Sequence, residues 1–281
     1  MAEATLETRE SRSATPPATA EPVHPRPWLA AWTLARREWV RFIRQPNRVF
    51  GAIGQPLIFW VLFSAGMEQV KGVSYKEYFF PGALVLILLF TAIFATISII
   101  EDRREGFLQS VLVAPLPRWS MVLGKIAGGT MIAVVQGALF VLLGYISGFS
   151  PGPIALAAIV GWIVLVALSL TALGFVLAWR MDSTQGFHAV MSVLLMPMWL
   201  LSGAFFAPKE NWLSYVIAAN PLTYGVAGLR HLLYWNAGPH AEAVRGLPSF
   251  GICTAVTIAF CVVMFAVAWR VSARRTTGDL L

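Results

Sequence analysis

Six apolar runs of membrane length decide what this chain can become: about Val49–Met67, Phe79–Ile100, Val122–Ser147, Ile154–Trp179, Phe187–Phe206 and Phe250–Trp269. A helix of about 20 residues crosses about 30 Å of hydrocarbon. A backbone at that depth must bond to itself, which helices do. The predicted fold is an all-α membrane protein with six transmembrane helices. Charge usage agrees, since only 12% of the 281 residues are charged and 57% are hydrophobic, whereas a soluble domain carries about 25% charged residues. Pro56 and Pro197 lie inside their runs and predict kinks, while Pro81 stands in the first turn of the second run, where proline is tolerated. The turn residues of Gly148–Pro153 join the third and fourth runs as an antiparallel hairpin.

The remaining stretches divide by composition. Residues 1–26, rich in Ala, Thr, Pro and Glu, read as a disordered cytoplasmic tail, and residues 276–281 as a second short tail. The transmembrane domain spans 27–275. It opens with Pro27–Gln45, in which Trp28, Trp32, Ala35, Trp39, Phe42 and Ile43 share one helical face and Arg37, Arg41 and Arg44 the opposite one. Such a helix is expected to lie in the membrane interface, with its arginines towards anionic lipid headgroups. Between the fifth and sixth runs, Ala207–Leu247 holds Trp212, Tyr215, Tyr224, Tyr234 and Trp235. It is too apolar for a solvated loop and too interrupted for a span, so it reads as an outer re-entrant hairpin of two short helices.

Orientation follows from Lys and Arg. Thirteen of them flank the runs on one side and five on the other. The positive side faces the cytoplasm, which places both termini there in a cell (inner) membrane. The charges of the +7 chain sit at the ends of apolar runs rather than in a nucleic-acid-binding patch. Glu101–Lys125 is the main charged island on this side. Phe107, Leu108, Val111 and Leu112 recur in it at helical spacing, and Pro115 and Pro117 end the pattern.

Chemistry-bearing patterns are scarce. No acid stands mid-span to carry a coupling ion. No Gly-x-x-x-x-Gly-Lys-Ser/Thr phosphate loop, metal-ligand spacing or nucleophile with a base is present. Cys253 and Cys261 lie about 12 Å apart on one helix and cannot bridge. His188 reads as an interfacial or packing histidine. Gly124-Lys125-Ile126-Ala127-Gly128 matches the small-residue pattern of close helix contact. The expectation is a chain that is not an enzyme and has no cofactor of its own.

Taken in order, several stretches resemble the ABC-2 type permeases, membrane subunits of ATP-binding-cassette exporters, and most closely the daunorubicin-resistance and nodulation-factor export type. Tyr78-Phe79-Phe80-Pro81-Gly82 is similar to the opening of that family's second span. Glu101–Leu108 with Val113-Ala114-Pro115-Leu116-Pro117 resembles its coupling stretch. Leu201–Phe206 and Asn220-Pro221-Leu222-Thr223-Tyr224 resemble the end of its fifth span and its outer loop. The likeness covers about Trp28 to Arg275.

The resemblance implies half of a transmembrane pathway that moves an amphipathic, lipid-like, drug or glycan cargo. Its implied partners are a second permease copy, identical or a sibling, and a separate ATPase subunit that supplies ATP and Mg. The cytoplasmic coupling helix would seat in that ATPase through Phe107, Leu108, Val111 and Leu112. Glu101, Asp102, Arg103, Arg104 and Glu105 would bond to the ATPase or to the interfacial helix. Phe90, Phe94, Met191, Met196, Met198 and Trp199 would line the cargo path. The competing readings are a channel or carrier independent of ATP and a membrane sensor subunit.

Overall fold

A run that is apolar on every face buries itself in the middle of a bundle, and here that run is the second. The computed structural model describes residues 25–66, 74–146, 148–149, 151–205, 212–235 and 244–273. Among these, α3 (Tyr75–Arg104) is the central helix, with its 18 residues Phe79–Thr96 buried save Phe94. Around it stand α2 (Pro46–Gly66), α5 (Arg118–Ile146) and α6 (Pro153–Trp179). A seventh helix, α7 (Thr184–Ala204), and α10 (Phe250–Ala273) complete six helices long and apolar enough to cross a membrane. Two shorter elements lie at the α3 N-terminal end: α8 (Leu213–Ala219) and α9 (Pro221–Leu233). At the opposite end are α1 (Pro27–Ile43) and α4 (Phe107–Val113).

The six expected spans are present, with shifted ends. The α3 helix starts before Phe79 because Ser74 caps it, accepting from Glu77 N at 3.3 Å. Pro81 is therefore the seventh residue of its helix rather than part of the first turn. At its other end α3 runs four residues past Ile100, so Glu101–Arg104 belong to the span helix and not to the coupling helix. The α7 helix carries π-helical turns at Met191–Leu195 and Leu200–Ala204, on either side of Pro197. These widened turns absorb the donor that proline lacks. The two tails fall almost wholly outside the described residues.

Glycines decide how closely the helices approach. A Cβ on Gly124 would lie 2.7 Å from Ala31 O, and one on Gly128 2.7 Å from Glu38 Cβ. That contact lays α1 along α5, fastened at its start by Ser120 Oγ donating to Pro27 O at 2.5 Å. On the other flank, Trp162 of α6 fills the space above Gly228 of α9 and donates its indole N–H to Gly225 O at 2.9 Å. Asn220 caps α9 by accepting from Leu222 N at 3.0 Å, while its Nδ2 donates to Met198 O at 2.5 Å and ties the hairpin to α7.

Candidate functional site: the charged end of the central helix

Eight charged side chains from four helices meet where α3 leaves the bundle. Asp102 is fully buried at their centre. The Arg37 guanidinium grips it with two hydrogen bonds, of 2.8 and 2.9 Å. Arg41 Nη1 adds a third at 2.6 Å, and Lys125 of α5 a fourth. Lys125 also donates to Glu38 Oε1 at 2.5 Å. Arg41 Nη2 reaches Glu101 at 2.9 Å and Glu105 at 3.2 Å, and Arg48 at the start of α2 closes on Glu101. Four cations thus face four carboxylates, and the set is neutral. Neutrality matters because an unpaired buried charge costs several kcal/mol. Burial disfavours the charge on Arg37, but the hydrogen bond to Asp102 and the carboxylates of Asp102, Glu38 and Glu105 outweigh it. Its pKa stays above the ordinary arginine value.

This corrects the expectation for the interfacial helix. Arg37 and Arg41 do not point at headgroups; they turn inward to Asp102, and only Arg44 of the three is exposed. The outward face carries Trp28 and Trp32, and Trp39 is half-buried. Trp28 packs edge-on against Trp119 at 4.9 Å. Glu38 and Lys125 are the members that sequence reading missed. The signal was there: Glu38 is the only acid in α1, and Lys125 the only charge in its apolar run. An isolated ionisable residue at membrane depth needs a partner.

Arg103 and Arg104 do different work. Arg103 donates to Trp179 O at 2.6 Å and to Met181 O at 3.2 Å, and Arg104 Nε to Asp182 O at 3.1 Å. They satisfy carbonyls at and just beyond the end of α6, where a helix presents unpaired acceptors and negative potential. The turn between α6 and α7 is thereby strapped to α3.

Past Glu105 the chain bends at Gly106, whose φ of +76° is a left-handed conformation that glycine adopts without a steric penalty. The bend swings α4 back under the bundle. Leu108 is buried, and Phe107, Val111 and Leu112 pack half-buried on the same core. Arg37 sits 3.7 Å above the Phe107 ring, so the charge cluster also holds this helix. The expected partner-facing stripe therefore turns largely towards its own protomer. The apolar side chain that α4 leaves open is Val113, 81% exposed.

The six expected path residues differ in burial within the protomer. Phe90 and Phe94 stack at 6.1 Å on α3, and Phe94 packs at 6.2 Å on His188. Met191 is buried, while Met196 and Met198 are half-buried. Trp199 is 1% exposed and donates to Gly82 O at 2.9 Å. It is a strut between α7 and α3, a correction to its expected place on a path.

Six spans, a short helix hung on the charged end of the central one and a helical hairpin at the other define a multi-pass membrane protein of the transport-permease class. The pattern of the ABC-2 type transporter family matches residues 30–234, and the chain belongs to that family. It is the membrane component of an ABC transporter, a transport subunit that is not itself catalytic, and membership implies pairing with an ABC ATPase subunit. Among its relatives is a putative transport permease ycf38 of Cyanophora paradoxa, 26% identical over 79% of this chain and 80% of that protein. The daunorubicin resistance permease DrrB1 of Streptomyces coeruleorubidus is 23% identical over 72% and 74%. Nodulation protein J of Rhizobium leguminosarum bv. trifolii is 25% identical over 73% and 80%.

Proposed function

We propose that this chain is one half of an ATP-driven exporter for an amphipathic, lipid-like, drug or glycan cargo. Two copies, or this chain and a sibling, form the pathway, and each engages a separate ATPase subunit that binds ATP and Mg. Both termini and the charge cluster face the cytoplasm. The observation that carries the reading is α4: a short helix fixed to the end of the central span by a glycine bend, a cation–π contact and the buried Leu108. A load on such a helix passes to α3 through a rigid joint, and through the ion cluster to α1 and α5. Preference of the ATPase for one arrangement of the joint then shifts the bundle towards that arrangement. A drug among the cargoes is supported by the likeness to a daunorubicin resistance ABC transporter permease.

The test is purification from native membranes in mild detergent, with identification of what accompanies the chain. A stoichiometric ATP-binding subunit is expected with the wild type. It should be lost on Val113→Asp, a change at an exposed position that leaves the fold intact. Retention of that subunit by the variant, or purification of a lone monomer from wild type, overturns the reading. Leu108→Asp is the wrong probe, since it would charge a buried side chain.

A further inference from the structure

The end of the bundle opposite the charge cluster holds another buried cation. Arg230 of α9 is 2% exposed. Its Nη2 donates to Tyr78 O at 3.1 Å and to Gly203 O at 3.4 Å, and the guanidinium lies 4.3 Å above the Tyr78 ring. These contacts hold the group in place, but among the described residues no carboxylate forms an ion pair with it, and its buried Nε has no hydrogen-bond partner. The eight charges at the other end are balanced among themselves; this one is not. A buried guanidinium without a carboxylate beside it is an unusual thing to keep, because buried charges are ordinarily paired.

Arg230 lines a cavity of about 160 Å³ between α7, α8 and α9, together with Ser202, Ile217, Thr223, Val226 and Leu247. The hydroxyls nearby have already given their protons away: Ser202 to Trp199 O, Thr223 to Ile217 O. Arg230 is the one charged side chain among the described residues of this wall, which is otherwise mostly apolar. A cavity of about 150 Å³ accommodates a benzene ring. Guanidinium suits carboxylate and phosphate oxygens through its planar array of donors.

We propose that this cavity binds an oxyanion carried on a small apolar body, with Arg230 as its counter-ion. The anion pairs with the guanidinium where Arg230 borders the cavity and completes a charge pair that the fold leaves half-built, and the apolar body fills the volume against Ile217, Val226 and Leu247. Two sources share this chemistry, a soluble organic acid and the headgroup region of an anionic lipid. The site stands whether or not an ATPase drives the protein, so its test is a binding measurement on the purified chain.

The chain is placed in nanodiscs of zwitterionic lipid and titrated with 4-fluorobenzoate, followed by fluorine NMR. In parallel, retained phosphatidylglycerol is counted against phosphatidylcholine by native mass spectrometry. Saturable one-site binding of at least one probe is expected, weakened at least tenfold by Arg230→Gln and by Ala218→Trp. The second variant obstructs the cavity from an exposed position and keeps the arginine, so it reports even if Arg230→Gln fails to fold. Binding of fluorobenzoate alone assigns the site to soluble acids, and retention of phosphatidylglycerol alone to lipid. Absence of saturable binding of both probes by wild type, or binding that survives Ala218→Trp unchanged, overturns the proposal.

Discussion

Asp102→Asn is the substitution that most directly tests the charge cluster. The asparagine keeps the shape and one acceptor but removes the charge that four hydrogen bonds from Arg37, Arg41 and Lys125 converge on. Breaking a buried ion pair by deleting one partner costs about 3–5 kcal/mol. The lower end applies here for two reasons. Lys125 keeps Glu38 at 2.5 Å. Arg37 and Arg41, with side chains 31% and 19% exposed, regain some hydration when released. The expected loss is about 3 kcal/mol, read from urea unfolding in detergent by tryptophan fluorescence. A double-mutant cycle with Lys125→Gln should give a coupling of at least about 1 kcal/mol, because the two groups touch. A loss under about 1 kcal/mol, the range of exposed pairs, together with no coupling, would refute the claim that this cluster holds α1, α3 and α5 together.

The other expectations follow from single contacts. Gly128→Leu forces α1 off α5, since even a Cβ there would come within 2.7 Å of Glu38 Cβ; destabilisation of about 1–3 kcal/mol and faster proteolysis at residues 27–43 are expected. Asn220→Ala removes the cap of α9 and its tie to Met198 O, and should cost about 1–2 kcal/mol in the same unfolding assay. Trp199→Phe loses the hydrogen bond to Gly82 O and should lower stability by about 1 kcal/mol, while reconstituted transport, measured across several cargoes, keeps its selectivity. A change of selectivity in that variant would return Trp199 to the cargo path.

Sequence alone determined the six spans, because hydrocarbon thickness and backbone self-satisfaction act on each segment separately and are written in local composition. The amphipathic helix before them, the short helix after Gly106 and the hairpin before the last span were legible for the same reason: helical periodicity and turn residues act over a few positions. Even the close contact of α1 with α5 left a trace, in Gly124 and Gly128. Which way a polar face points was not legible. The arginines of α1 form a cationic stripe that suits lipid headgroups equally well, and what claims two of them is Asp102, 65 positions from Arg37 and 61 from Arg41. Periodicity shows that a face exists but not what stands opposite it. Likewise the stripe Phe107–Leu112 reads as an open surface until the left-handed turn at Gly106 folds it onto the core. Arg230 shows the limit most clearly. In the sequence it is one of a few outer-side charges, and only the convergence of Tyr78, Gly203 and the α9 helix around it makes it a buried cation in need of a counter-ion. Desolvation depends on neighbours brought together by the whole fold, so the tertiary structure alone decided it.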